Sequence, residues 1–431
     1  MRPSRLRDRI ACAVFAALQA MVLPGCTSDS SRGVRGGGPY AAEAAKMVPK
    51  VEHAVGLRFK RPPTVEARSR AEVRSFLERQ FGDARAAREL AGTEVAYKLF
   101  GLLPDTLDLR AELERLLTEQ IVGFYDPATK VLYVVDSAPE GQVSTVIAHE
   151  LVHALQDQYV NLDSIQALEG ENDRQSAAEA VIEGQAVYDQ LVAATGNPDF
   201  LSLIPGGWDA VREQIRQNQG SMPAFANAPM VLQESLIFPY LNGAEFMRRF
   251  AAREPGQQPY GARMPVSTKQ ILHSETAYFD HPDLPLRITL PPPADARVTV
   301  RYSNTLGEFE TRLFLYQYLG DQNAAVRGAA AWEGDRYEVL DLSPRERALV
   351  WVTVWDSPVD AGQFRELVLQ VASRRGPGHP NRTVSIAPLE IQGRPAIVYI
   401  DAPTGISRSA LIGISRSALL APGRVTLTAV P

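Results

Sequence analysis

Apolar positions recur every three to four residues through most of the chain and every second residue in a few short runs, so the sequence reads as mixed helix and strand. Residues 41–55 form an amphipathic segment, 65–69 are strand-like, and 72–81 return to helix with Val73, Phe76, Leu77 and Phe81 on one side. Residues 99–103 read as helix stopped by Pro104, and 107–117 as a further amphipathic helix. Residues 121–125 and 131–135 predict a hairpin across the turn Asp126-Pro127-Ala128-Thr129-Lys130. Val143, Val146, Ile147, Leu151, Ala154 and Leu155 then fall at helical spacing. Ser137 and Glu140 form a capping-box pattern that would start this helix near Pro139. The next helix, 173–195, is carried by Ala177, Ala178, Val181, Ile182, Ala186, Leu191 and Val192 and stops at Gly196-Asn197-Pro198.

Residues 197–263 predict helices that wall a cleft, with a mobile portion setting access to it. A second box, Ser267 to Gln270, opens a short helix that ends at His273. The proline-rich stretch 282–293 marks a boundary. After it come a helix opened by the box Thr305 to Glu308, strands at 337–342 and 349–355, a helix at 361–373, and a hairpin of 384–391 with 396–400 around Gln392-Gly393. Trp332, Trp351 and Trp355 belong to the core of this part. The fold class is therefore α+β: a mostly helical domain over 40–285 with a small antiparallel sheet, then a smaller α+β domain over 294–431.

Composition changes the picture mainly at the start of the chain. Arg2, Arg5, Arg7 and Arg9 precede an apolar run, 10–23, that is short for a bilayer span. Leu23-Pro24-Gly25-Cys26 follows and resembles the lipobox of bacterial lipoproteins. The resemblance implies a signal peptide over 1–25, a lipidated Cys26, a flexible tether to residue 39 and a lipid-anchored place in the cell envelope. Cys12 and Cys26 are the only cysteines, so neither a disulfide framework nor a cysteine-based zinc site is expected. A formal net charge of −5 without basic runs argues against nucleic acid and against membrane contact other than through the lipid. Residues 40–117 read as scaffold without chemistry of their own, or as a proregion. The stretch 405–411 recurs as 413–419, a local duplication in a tail, and His53, His281 and His379 are read as structural.

The candidate chemistry lies in His149-Glu150-Leu151-Val152-His153. Positions four apart on a helix lie one above the other, so two imidazoles can converge on one ion while Glu150, beside the first, takes a proton from activated water. A hydrolytic zinc site of this kind uses two histidines and a carboxylate. The following helix offers Glu179 and Glu183, four apart, and spacing alone does not choose between them.

These histidines followed by Glu183-Gly184-Gln185-Ala186 resemble the gluzincin metallopeptidases, the group that includes thermolysin and the zinc aminopeptidases. The resemblance covers about residues 120–196. It implies one zinc ion per chain held by His149, His153 and Glu183, with Glu179 buttressing an imidazole from behind. It also implies a peptide or protein substrate laid along a strand edge near the metal. Val187 stands where the thermolysin branch carries its supporting acid, and no glycine-rich motif for a free amine precedes the helix, which favours an endopeptidase. His273 and Tyr240 are the candidates to stabilise the oxyanion, with Tyr188 a third. Two rival readings share the motif: a surface binding or assembly lipoprotein on a protease scaffold, for which Glu150 has no use, and a zinc amidase or esterase acting on a cell-wall or other non-peptide substrate.

Overall fold

The computed structural model describes residues 34–36, 39–162, 169–217, 222–293, 295–404 and 425–429. The expected signal peptide, Cys12, Cys26, most of the expected tether and the duplicated 405–419 stretch lie outside them. Among the described residues no helix is long and apolar enough to cross a membrane.

The amphipathic start of the chain is helix α1, Ala41–Val55, whose buried face is Ala44, Met47, Val48, Val51 and Val55. Strand β1, Thr64–Arg68, leads into α2, Arg70–Phe81, which a complete capping box from Ser69 and Glu72 opens. Helix α3, Ala84–Phe100, is far longer than the 99–103 pattern suggests, because few of its residues are large apolar ones. It ends at Gly101 in the left-handed conformation, φ 73°, ahead of Pro104. Helix α4 is Leu109–Gln120. The hairpin follows as β2, Gly123–Asp126, and β3, Val131–Val135, paired antiparallel. Strand β1 joins the other side of β3 in parallel register, so the small sheet has the order β1-β3-β2 and is mixed rather than antiparallel.

Helix α5, Glu140–Gln156, carries the histidine motif, and α6, Asn172–Thr195, carries both candidate glutamates. The expected box at the start of α5 does not form. Pro139 is the N-cap, and the Ser137 hydroxyl instead accepts a hydrogen bond from Arg70. Buried side chains of α1, the sheet and α5 make one apolar cluster, with Leu132, Val134, Ile147, Leu151 and Leu155 fully enclosed. Helices α7, Gly207–Gln217, and α8, Met230–Arg253, follow, and α9, Thr268–Leu272, is capped by the Ser267 hydroxyl, while the Gln270 side chain that would complete the predicted box accepts from the Val266 N–H instead.

Strand β4, Leu286–Thr289, pairs with a terminal strand, Thr426–Ala429. The second half is built on a five-stranded antiparallel sheet in the order β5-β6-β7-β9-β8, with β5 Thr299–Asn304, β6 Trp332–Asp341, β7 Arg347–Trp355, β8 Arg382–Ile391 and β9 Arg394–Pro403. Helices α10, Gly307–Leu319, and α12, Pro358–Arg375, cover it, and α11, Gln322–Ala329, packs against both of them. Thr305 does not cap α10. The Asp335 carboxylate accepts from the N–H groups of Leu306 and Gly307 at 2.8 and 2.9 Å, doing from a strand what a local cap would have done. The three tryptophans are buried.

The fold is α+β as the pattern predicts, but the apolar core does not stop at the proline-rich stretch. Phe100 of α3 meets Phe314, Tyr337 and Trp351 edge-on at 5.7, 5.4 and 5.3 Å. Polar links follow the same route: the first N–H groups of α6 donate to Asn304 and Thr305 from the second half.

Candidate metal centre

The site is assembled where α5 and α6 face each other. Helix α5 lies close over the hairpin because Gly123 has no side chain; a Cβ there would come within 2.5 Å of Val146. Helix α6 is pressed against α8 at Gly184 and Gly243, where the two backbones touch. A Cβ on Gly243 would sit 1.9 Å from the Ala180 carbonyl oxygen. This contact sets the depth of Glu183, the neighbour of Gly184. It also brings the Tyr240 ring into a stacked position on His149, with centroids 6.1 Å apart.

The donor atoms converge. The Nε2 atoms of His149 and His153 are 3.2 Å apart, and each is 3.3 Å from Glu183 Oε2. Two ligands held tetrahedrally at ~2.0–2.1 Å from one ion would be separated by roughly 3.3 Å. Two imidazoles and a carboxylate with that spacing fit a divalent cation. Among the described residues these three form the one group of such donors close enough to share an ion, and all are buried. The sequence pairing of His149, His153 and Glu183 is thus realised in space, and the group can hold a metal ion.

Electrostatics point the same way. Burial disfavours charge on both His153 and Glu183, yet the Glu183 carboxylate outweighs it at His153 and raises that imidazole to about 9. The two imidazoles in turn outweigh burial at Glu183 and lower it to about 2. The donor group thus favours positive charge on His153 beside an ionised Glu183 carboxylate.

Glu150 is equally buried, at 2 % exposure, and its Oε2 accepts a 2.7 Å hydrogen bond from the backbone N–H of Tyr125. Strand β2 is an edge of its sheet, but its four residues are all buried and the Tyr125 donor is committed to Glu150. The hairpin packs under the motif helix and its edge is not open to an added peptide strand in this conformation.

The remaining candidates scatter. Glu179 accepts from Gln175, one turn back on its own helix, at 3.0 Å, where the resemblance implies an acid behind an imidazole. That role falls to Gln156, whose Oε1 lies 2.9 Å from His153 Nδ1. Its position three after His153 on one helix was the signal available in the sequence. His273 is engaged elsewhere, with its Nε2 2.8 Å from Glu308 and 2.9 Å from Arg312. Tyr188 packs against Phe200 at 5.9 Å, and burial pushes its hydroxyl up to about 12. Tyr240, fully buried beside His149, is the oxyanion candidate that the fold brings to the centre.

A domain family described as a domain of unknown function, DUF8575, matches residues 297–398, within the second half and away from the metal-ligand group. No curated protein and no solved structure matches the chain.

Proposed function

We propose that the protein is a zinc-dependent peptide hydrolase, acting as an endopeptidase. The observation that carries this reading is the meeting of His149, His153 and Glu183 donor atoms at 3.2–3.3 Å with Glu150 on the same helix turn. An ion held there would act as a Lewis acid, polarising the scissile carbonyl and making water a nucleophile at neutral pH. Glu150 takes the proton from the attacking water and passes it to the leaving amine. The Tyr125 N–H keeps one carboxylate oxygen of Glu150 fixed, which leaves the other to exchange the proton. Tyr240 supplies a hydroxyl donor for the developing negative charge. In the same reading Cys26, outside the described residues, carries the lipid that keeps the enzyme at the cell envelope.

The experiment is metal analysis of the purified protein together with digestion of a peptide library, with and without chelator and with E150Q as control. The reading expects about one zinc per chain, cleavage that chelator stops, and an E150Q protein that keeps its metal and cuts nothing. Bound zinc without any cleavage would support a binding scaffold instead. Cleavage confined to cell-wall fragments would make the enzyme an amidase.

A further inference from the structure

We infer that a chain of glutamine side chains, running from the last carbonyl of α1 to the metal centre, dictates which nitrogen of His153 carries its proton, so that Gln156, Gln185 and Gln258 are positioning residues for the ligand. The inference rests on the proposed metal centre and extends it to residues that touch neither ion nor substrate.

An amide side chain can point its oxygen or its nitrogen at a neighbour, and only the neighbours decide which. Here the outermost neighbour is fixed. The carbonyl of Val55, at the end of α1, can only accept, so the group 2.9 Å from it is the Gln258 NH₂. The Gln258 oxygen then faces Gln185 at 2.9 Å, which forces Gln185 to present its own NH₂ there. The Gln185 oxygen is left to accept from Gln156 at 3.0 Å and from the Tyr260 hydroxyl. A second fixed acceptor agrees: the same Gln156 nitrogen is 3.0 Å from the Ile182 carbonyl. The Gln156 oxygen therefore faces His153 Nδ1, at 2.9 Å, as an acceptor.

One tautomer satisfies this sequence of bonds. His153 donates from Nδ1 whether the ring is charged or neutral, so Nε2, the nitrogen 3.3 Å from Glu183, is the one that gives up its proton when an ion binds. Gln156 and Gln185 are 1 % and 2 % exposed, so their polar groups have no water to turn to and the order of donors is enforced by the cost of an unsatisfied buried amide. Gln258 stands on the connection from α8 to α9, between Gly256 and Gly261 at φ +77° and +63°. Those two turns let the connection fold back onto α1.

The test reads the histidine ring itself. In ¹H–¹⁵N spectra of metal-free wild-type protein, His153 should show an Nδ1 proton protected from exchange with solvent; a proton on Nε2 alone overturns the relay whether or not metal binds. Q156L should abolish that protection and weaken Zn²⁺ binding, read by competition with a chromogenic chelator, by about 10–100-fold. Because Q156L alters a buried site, the half-buried Gln258 gives the second variant. Q258L should speed exchange of the same proton and weaken Zn²⁺ binding in the same direction by a smaller factor. An unchanged His153 signal in both variants overturns the relay. Wild-type protein that takes up no Zn²⁺ removes the proposed metal centre, and the ring spectrum still decides the relay.

Discussion

The Glu150 carboxylate is held at 2.7 Å by the backbone N–H of Tyr125, a residue on the strand beneath its own helix. A side-chain donor would lose this bond on mutation, but a backbone donor persists for any residue at position 125 other than proline. Y125F should therefore keep activity. E150Q should retain the fold and the metal while the rate falls by at least the ~10²–10⁴-fold that general acid–base catalysis contributes. Peptide turnover and metal content measured on the same samples check both.

Replacement of His149, His153 or Glu183 by alanine should release the ion, whereas E179A should keep it, since Glu179 is bonded to Gln175 and stands outside the donor group. Metal content after dialysis separates the two outcomes. Retention in E183A with loss in E179A would exchange the roles of the two glutamates.

The pH response of metal-free protein follows from His153 and Glu183. His153 is raised from 6.5 to about 9, so its contribution to stability is complete below pH 6.5 and is lost as pH climbs through 9. Glu183 is lowered from 4.5 to about 2, so its contribution is complete above pH 4.5 and is lost as pH falls through 2. The pair stabilises the empty protein most between pH 4.5 and 6.5. Metal must displace the His153 proton, so the rise in Tm on adding zinc should be larger at pH 9 than at pH 5.5. Thermal melts with and without zinc at the two pH values test this.

Asp189, buried on α6, has its carboxyl pushed from 3.8 up to about 8 by burial, against a hydrogen bond from Gln185. A raised folded value means that stability drains away as pH rises from 3.8 through 8. D189N removes the ionisable group. The variant should gain in Tm relative to wild type at pH 9 and gain much less at pH 5.

Gly184 and Gly243 join α6 to α8 backbone to backbone. G243A has no room for its methyl group and should cost on the order of 1–3 kcal/mol as the helices part. The same shift would move Glu183 away from the imidazoles, so zinc affinity should fall although every ligand is intact. Denaturant melts and chelator competition on G243A measure the two effects.

The parts of the site that were legible in the sequence are those set by one helix's geometry. His149, Glu150 and His153 needed only the four-residue repeat, and β3 and the second helix needed only their apolar period and stop signals. Glu183 needed a resemblance in addition, because two glutamates four apart share a face. What was not legible depends on distant chain segments meeting. Nothing near Glu150 in sequence announces the Tyr125 N–H, and nothing near Thr305 announces that Asp335 would cap α10. Helix α3 was hidden because alanine, glycine and arginine carry its length, leaving little apolar contrast to count. Gln156 could have been found, since a polar residue three after a candidate ligand on a buried helix has to bond to something.

Helix α1 and strand β1 lie upstream of all the chemistry, yet β1 runs alongside β3 and α1 rests on both α5 and α6. Excising this stretch during maturation would strip a strand from the sheet and bare to water Leu151, Leu155 and the other apolar side chains among which Val48 and Val51 pack. Limited proteolysis that severs the chain after Val55 should thus yield an aggregating product, not an activated one. The fifteen-residue helix α1 behaves as part of the body that carries the metal-ligand group and not as a removable cover.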